Sequence, residues 1–182
     1  MINNIKKQYE IYTSSISSKD MAISYEMAMY LWTEIKQRKS TRILDLGSGF
    51  SSFIFRSYQE SVEGCRVISV DTSADWLLKS NEFLEKNNLD VSEIYTFDEF
   101  KELPYETYDF ILYDLGNMKT RSDNLEFILN FADKNCPVIV DDVHKKPYMD
   151  VVIETANRLK KKIVNIKPET FDSYGRFALL LK

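Results

Sequence analysis

From residue 41 onward, short β-branched runs alternate almost without a break with longer stretches of helical spacing, and this alternation constrains the fold more than any other feature of the chain. The strand candidates are Arg42 to Leu46, Arg66 to Val70, Ile94 to Phe97, Phe110 to Asp114, Val138 to Asp141, Ile163 to Ile166 and Phe177 to Leu181. Most lack polar alternation, as strands buried on both faces of a parallel sheet do. Helical patterns between them cover about Ser51 to Ser61, Ala74 to Asn87, Ser122 to Asp133 and Pro147 to Lys161, with Pro147 suited to a first turn. Parallel strands joined by such helices need right-handed crossovers, so the expected class is α/β, an open doubly wound sheet. The last two strands are separated by a loop containing Pro168 and Gly175 rather than by a helix, which favours an antiparallel closing pair. Upstream, Met21 to Gln37 reads as an amphipathic helix and residues 1–20 as a weaker, polar-rich segment. A length of 182 residues predicts one domain, with residues 1–40 a helical extension or lid on a core at 41–182.

Composition narrows the function classes. With 44% hydrophobic and 29% charged residues, a chain of this length buries roughly 70% of its unfolded surface, which excludes disorder and a disulfide-dependent miniprotein. Twenty-four basic against 28 acidic residues leave a net charge of −4 and no basic stripe. That balance argues against a nucleic-acid backbone as partner, as does the absence of an N/D-P-P-Y motif, and points to small-molecule substrates. Cys65 and Cys136 stand beside apolar runs without metal or redox spacing and read as buried reduced thiols. The opening MINNIKKQYEIYTSS lacks the apolar core of a signal peptide, and no run approaches the ~18 apolar residues of a membrane span. The expectation is a cytoplasmic protein with no membrane partner.

Chemistry first shows at the end of the first strand, in Asp45-Leu46-Gly47-Ser48-Gly49-Phe50-Ser51-Ser52. Two glycines there permit a tight turn and close approach of a ligand to backbone. Ser51 or Ser52 is positioned to cap the following helix, whose free N–H groups would face an anionic group. The second strand leads into Asp71, at the spacing where a carboxylate accepts both hydroxyls of a ribose. The plainer alternative is a strand-to-helix turn, with Asp71 capping the helix near Ala74. Ser52 stands where a dinucleotide fingerprint has its third glycine, which counts against nicotinamide and flavin cofactors.

The segments RILDLGSGFSS, VISVDTS, YDFILYDLGN and PVIVDDVH, in that order, resemble a class I S-adenosylmethionine-dependent methyltransferase over residues 21–182. The resemblance implies a seven-stranded sheet of order 3-2-1-4-5-7-6 with strand 7 antiparallel. It implies that Asp45, Gly47 and Gly49 hold the methionine part of S-adenosylmethionine, with Ser48 and Ser52 counted among the cofactor-binding residues. Asp71 would hold the ribose with Thr72 beside it, Phe97 and Asp98 would meet the adenine, and Asp114 is counted among the cofactor-binding residues.

Residues closing strands four and five of an open α/β sheet line its ligand crevice, and here they are Asp114, Asp141 and Asp142. Three converging carboxylates call for a divalent cation, a cationic substrate or raised pKa values. The spacing is similar to that of the metal-binding catechol O-methyltransferase branch and of sugar and macrolide O-methyltransferases with a double Asp, which implies Mg²⁺ on Asp114, Asp141 and Asp142. Two positions depart from the catechol pattern: Asn117 replaces its Lys, and Asp142 its Asn. The alternative is that Asp114 contacts the cofactor's amino group while Asp141 and Asp142 form a solvated strand end. His144, the single histidine, follows the double Asp and is a candidate proton acceptor with a raised pKa beside carboxylates. Tyr9, Tyr12, Tyr25 and Tyr30 fit an aromatic lid or helix packing equally well. The leading expectation is methyl transfer to an oxygen or nitrogen of a small molecule, with Asp114 and His144 catalytic. A nicotinamide-dependent oxidoreductase and an inactive adenosyl-binding module acting with a partner are the rivals. With so few residues outside the core, the acceptor is small or shared with a second subunit in a homodimer.

Overall fold

A computed structural model describes residues 2–182, with side chains from residue 4 onward. Seven strands form one sheet: β1 (Arg42–Leu46), β2 (Arg66–Asp71), β3 (Ile94–Thr96), β4 (Phe110–Tyr113), β5 (Val138–Val140), β6 (Ile163–Asn165) and β7 (Leu179–Leu181). Their spatial order is β3-β2-β1-β4-β5-β7-β6, and only β7 runs antiparallel to its neighbours, as the resemblance implied. The central strands alternate between two apolar layers rather than between core and solvent. Ile43, Val67, Phe110 and Leu112 face one layer and Leu44, Ile68, Ile111 and Tyr113 the other.

The first layer is filled by α1 (Ile2–Ser15), α2 (Tyr25–Arg38), α3 (Phe50–Gln59) and α4 (Ala74–Lys86). The second is filled by α5 (Phe97–Glu102), α6 (Met118–Leu129) and α7 (Lys146–Arg158), and a single turn, α8 (Lys167–Thr170), lies between β6 and β7. Among the described residues, no helix is long and apolar enough to cross a membrane.

Several boundaries differ from the sequence reading for local reasons. Residues 2–15 form a helix that buries Ile5, Tyr9 and Tyr12, so the polar-rich segment is amphipathic once the sheet supplies its apolar face. Phe97 opens α5 instead of closing β3, because Thr96 and Glu99 make a reciprocal capping box that starts the helix there. α6 begins at Met118, four residues earlier than its apolar pattern, since the Asn117 side chain accepts the N–H of Thr120. α8 inserts one helical turn into the connection expected to be free of helix. Pro147 does sit in the first turn of α7.

Candidate active site

The carboxyl ends of β1, β2, β4 and β5 open into one cavity of about 570 Å³, within the range that holds a cofactor or drug-sized ligand. Its floor is the turn after β1. Gly47 has φ +104°, and a Cβ there would stand 2.4 Å from the carbonyl oxygen of Asp114, so only glycine lets β1 and β4 approach this closely. The N–H groups of Gly47 and Ser48 donate to the Val70 carbonyl at 2.8 and 3.1 Å, pinning the turn to β2. Gly49 is the residue before α3, and its absent Cβ leaves room for the Tyr12 hydroxyl, 3.2 Å from where that atom would be.

Neither Ser51 nor Ser52 is the cap of α3. Gly49 holds that position, and both serines turn inward: their hydroxyls donate to Asp45 at 2.7 and 2.5 Å, and Ser52 also accepts the Gly49 N–H. Asp45 is fully buried, and burial pushes its carboxyl up to about 6 against the pull of those two hydroxyls. Asp45 and Ser52 therefore brace the turn from behind and do not line the cavity.

Asp71 does line it. One carboxylate oxygen accepts the N–H of Ser73 at 2.9 Å, which orients the group, while burial raises its pKa. Thr72 is exposed and outside the lining. Phe97 is packed in the core, stacked on Phe100, and Asp98 is exposed and paired with Lys101 at 2.6 Å. Neither reaches the cavity, because the early start of α5 turns Phe97 inward and Asp98 out to solvent.

Opposite the turn stand Asp114, Asp141 and Asp142, together as expected, but a fourth side chain stands among them. Arg121, from the first turn of α6, places Nη1 2.5 Å from Asp114 Oδ1 and 3.2 Å from Asp142 Oδ2. Its Nη2 and Nε donate to the carbonyls of Gly116 and Leu115 at 3.1 and 3.3 Å. Asp142 reaches back toward it from a left-handed backbone, φ +59°, a conformation Asp tolerates better than most residues. Asp141 has one oxygen on the Asp142 N–H at 2.7 Å; burial first, then the charge of Asp142, pushes it up to about 6. Burial and the two neighbouring carboxylates raise Asp114 as well, with Arg121 opposing.

A divalent cation does not fit this arrangement. Mg²⁺ needs about six oxygen ligands near 2.1 Å, whereas a guanidinium already occupies the gap between two of the three carboxylates. At about 4 Å and an effective dielectric constant near 20, each pair of like unit charges costs roughly 4 kcal/mol. Among the described residues, no group of three or more His, Cys, Asp or Glu side chains is arranged to hold a metal ion. The three carboxylates expected to hold Mg²⁺ thus stand in a carboxylate–guanidinium cluster.

His144 stands apart from this cluster's cavity face, and its pKa shift is opposite to the rise expected. It lies outside the lining, its Nδ1 3.5 Å from Asp142 Oδ1, and burial lowers its pKa more than Asp142 raises it. Residues the sequence reading did not assign complete the walls. Tyr12 presents a buried hydroxyl with no hydrogen-bond partner among the described residues, its ring held edge-on by Phe83. Trp76 donates its indole N–H to the Ser48 carbonyl at 2.6 Å, and Arg176 lines the roof with the segment Asp20–Ile23.

Comparison with known proteins bears on what such a cavity holds. A family profile described as a methyltransferase domain matches residues 37–171. No curated protein matches the sequence. Among solved structures, an O-methyltransferase from Bacillus cereus in complex with SAH aligns at TM-score 0.73 and 14% identity, over 98% of this chain and 89% of that one. The methyltransferase PaMTH1 from Podospora anserina, bound to SAH, gives 0.71 at 15% identity over 98% and 86%. TomG from Streptomyces achromogenes, an O-methyltransferase of tomaymycin synthesis in complex with SAM, gives 0.71 at 15% over 97% and 87%. At these identities the likeness is one of fold.

Proposed function

This chain belongs to the methyltransferase-domain family, and from that premise we propose that it transfers a methyl group from S-adenosylmethionine to an oxygen or nitrogen of a small molecule. One observation carries the reading: a single cavity joins the Gly47–Gly49 turn and the Asp71 carboxylate on one side to the Asp114–Asp141–Asp142 rim on the other. The start of α3 beside the turn and Asp71 suit the two ends of an adenosyl amino acid, the helix N-terminus at Phe50 and Ser51 toward the anionic end and a carboxylate toward the ribose hydroxyls. That two of the aligned structures hold SAH and a third SAM supports the cofactor, and the part of TomG in tomaymycin synthesis supports a small acceptor.

The chemistry asks little of the protein beyond position. The acceptor's lone pair attacks the methyl carbon in line, the carbon–sulfur bond breaks, and sulfur keeps the bonding pair, leaving S-adenosylhomocysteine. The acceptor's proton passes to a carboxylate, which we assign to Asp141. It lines the cavity, no cation among the described residues pairs with it directly, and a carboxyl pushed up to about 6 is a better proton acceptor than an ordinary one. Asp114, tied to Arg121, is left as a polar contact for the cofactor's amino group. Two free, buried cysteines support a reducing, cytoplasmic setting.

Calorimetry with S-adenosylhomocysteine tests the reading. Micromolar affinity is expected, and Asp71→Ala should weaken it at least tenfold by removing charge-assisted hydrogen bonds to the ribose. Unchanged affinity in a folded Asp71→Ala variant overturns the ribose assignment. No binding by the wild type overturns the cofactor.

A further inference from the structure

We propose that Arg121 is the resident counter-cation of the acidic rim, so that this enzyme holds its acceptor and transfers the methyl group without a divalent metal. The inference rests on the methyltransferase reading above and departs from the metal-binding branch that the carboxylate spacing resembles. Three features of the arginine carry it. Its side chain is only 8% exposed, so it is not a surface group that swings aside for an incoming ion. The guanidinium is held from both directions, by the carboxylates of Asp114 and Asp142 on one edge and by the carbonyls of Leu115 and Gly116 on the other. Three of its N–H groups donate to the Asp142 carboxylate and to these two carbonyls while Asp114 is paired by charge, and displacing it would leave two backbone carbonyls and the Asp114 carboxylate without their partner at once.

The position of Arg121 is built into the fold. Asn117 caps α6, which sets the first turn so that the residue four places on points back across the ends of β4 and β5. Lys145 adds a second cation, 3.6 Å from Asp142. Asp114 and Asp142 are thereby neutralised within the chain, and of the three rim carboxylates Asp141 is the one with no paired cation among the described residues. An acceptor hydroxyl or amine then meets a bare carboxylate and a fixed guanidinium, not a metal with its own water shell.

Mn²⁺ is the probe, followed by water-proton relaxation, with S-adenosylhomocysteine present throughout and its own binding measured by calorimetry on the same samples. Wild-type protein should show no Mn²⁺ affinity tighter than millimolar. Arg121→Met removes the charge while keeping the volume and should tighten Mn²⁺ binding at least tenfold, a gain abolished by adding Asp114→Asn. Arg121→Lys keeps the cation and should stay as weak as the wild type. Micromolar Mn²⁺ binding by the wild type that is lost in Asp141→Asn overturns the proposal, and this measurement does not depend on the arginine variants folding. So does an Arg121→Met protein that is folded by circular dichroism yet gains no affinity. Loss of S-adenosylhomocysteine binding by the wild type would instead count against the cofactor reading and leave the cation result to stand by itself.

Discussion

Asp45 shows how a single residue trades stability for site geometry. It lies beneath the Gly47–Gly49 turn, where burial pushes its carboxyl up to about 6 and the hydroxyls of Ser51 and Ser52 are its direct donors. An unfolded Asp titrates near 3.9, so between about pH 4 and pH 6 the folded state binds more protons than the unfolded one. Folding is therefore favoured by this group at low pH, and the advantage is lost as pH rises through 6. Replacing Asp45 with Asn keeps an acceptor and removes the titration. The stability of the wild type relative to Asp45→Asn, from urea melts, should fall by on the order of 2 kcal/mol between pH 4 and pH 7. A difference that stays flat with pH would mean that the carboxyl is not desolvated.

At the scale of elements, the roof of the cavity depends on one strap. Arg176, just ahead of β7, pairs with the buried Asp172 at 2.7 Å and donates to the carbonyls of Lys19, Asp20 and Ala22 at 2.8 to 3.0 Å. The link between α1 and α2 is thereby fastened to the opposite end of the chain. Arg176→Ala leaves Asp172 buried without its partner and frees the 19–22 backbone. The expected cost is about 2–4 kcal/mol in thermal or chemical unfolding, with faster proteolysis between residues 16 and 23. Stability and proteolytic resistance equal to the wild type would show that α1 and α2 hold the roof by packing alone. Packing does contribute: Tyr9 and Tyr12 of α1 bury their rings against Phe50, and α2 lies along α3.

For the molecule as a whole, the cofactor should act as a folding ligand, because the cavity draws on β1, β2, β4 and β5 and on the N-terminal helices at once. At about 100 times its Kd, a ligand of the folded state adds roughly 2.7 kcal/mol. In a chain of this size that corresponds to a Tm rise of about 5–10 °C. S-adenosylhomocysteine should produce it in a thermal melt, and the Asp71→Ala variant should show a smaller shift at the same concentration. No shift in the wild type would contradict the cofactor assignment. The sequence by itself determined the doubly wound α/β class, through the alternation after residue 41, and the antiparallel closing pair, through the connection to β7, while the full strand order was what the resemblance implied; it also marked Gly47, Gly49 and Asp71, because a turn and the acidic end of the next strand are set by local spacing along one strand–helix–strand unit. It also brought Asp114, Asp141 and Asp142 together, since both strand ends were readable. What neutralises them was decided by the tertiary structure. Arg121 lies one helical turn past a cap whose apolar pattern begins later, and only the packing of α6 across β4 and β5 turns it into the rim. The same holds for Phe97 and Asp98, displaced from the cavity by a capping box, and for His144, whose burial outweighs the carboxylate beside it. Local spacing records which residues can stand at a strand's end, whereas desolvation and ion pairing depend on groups that meet only when the layers close.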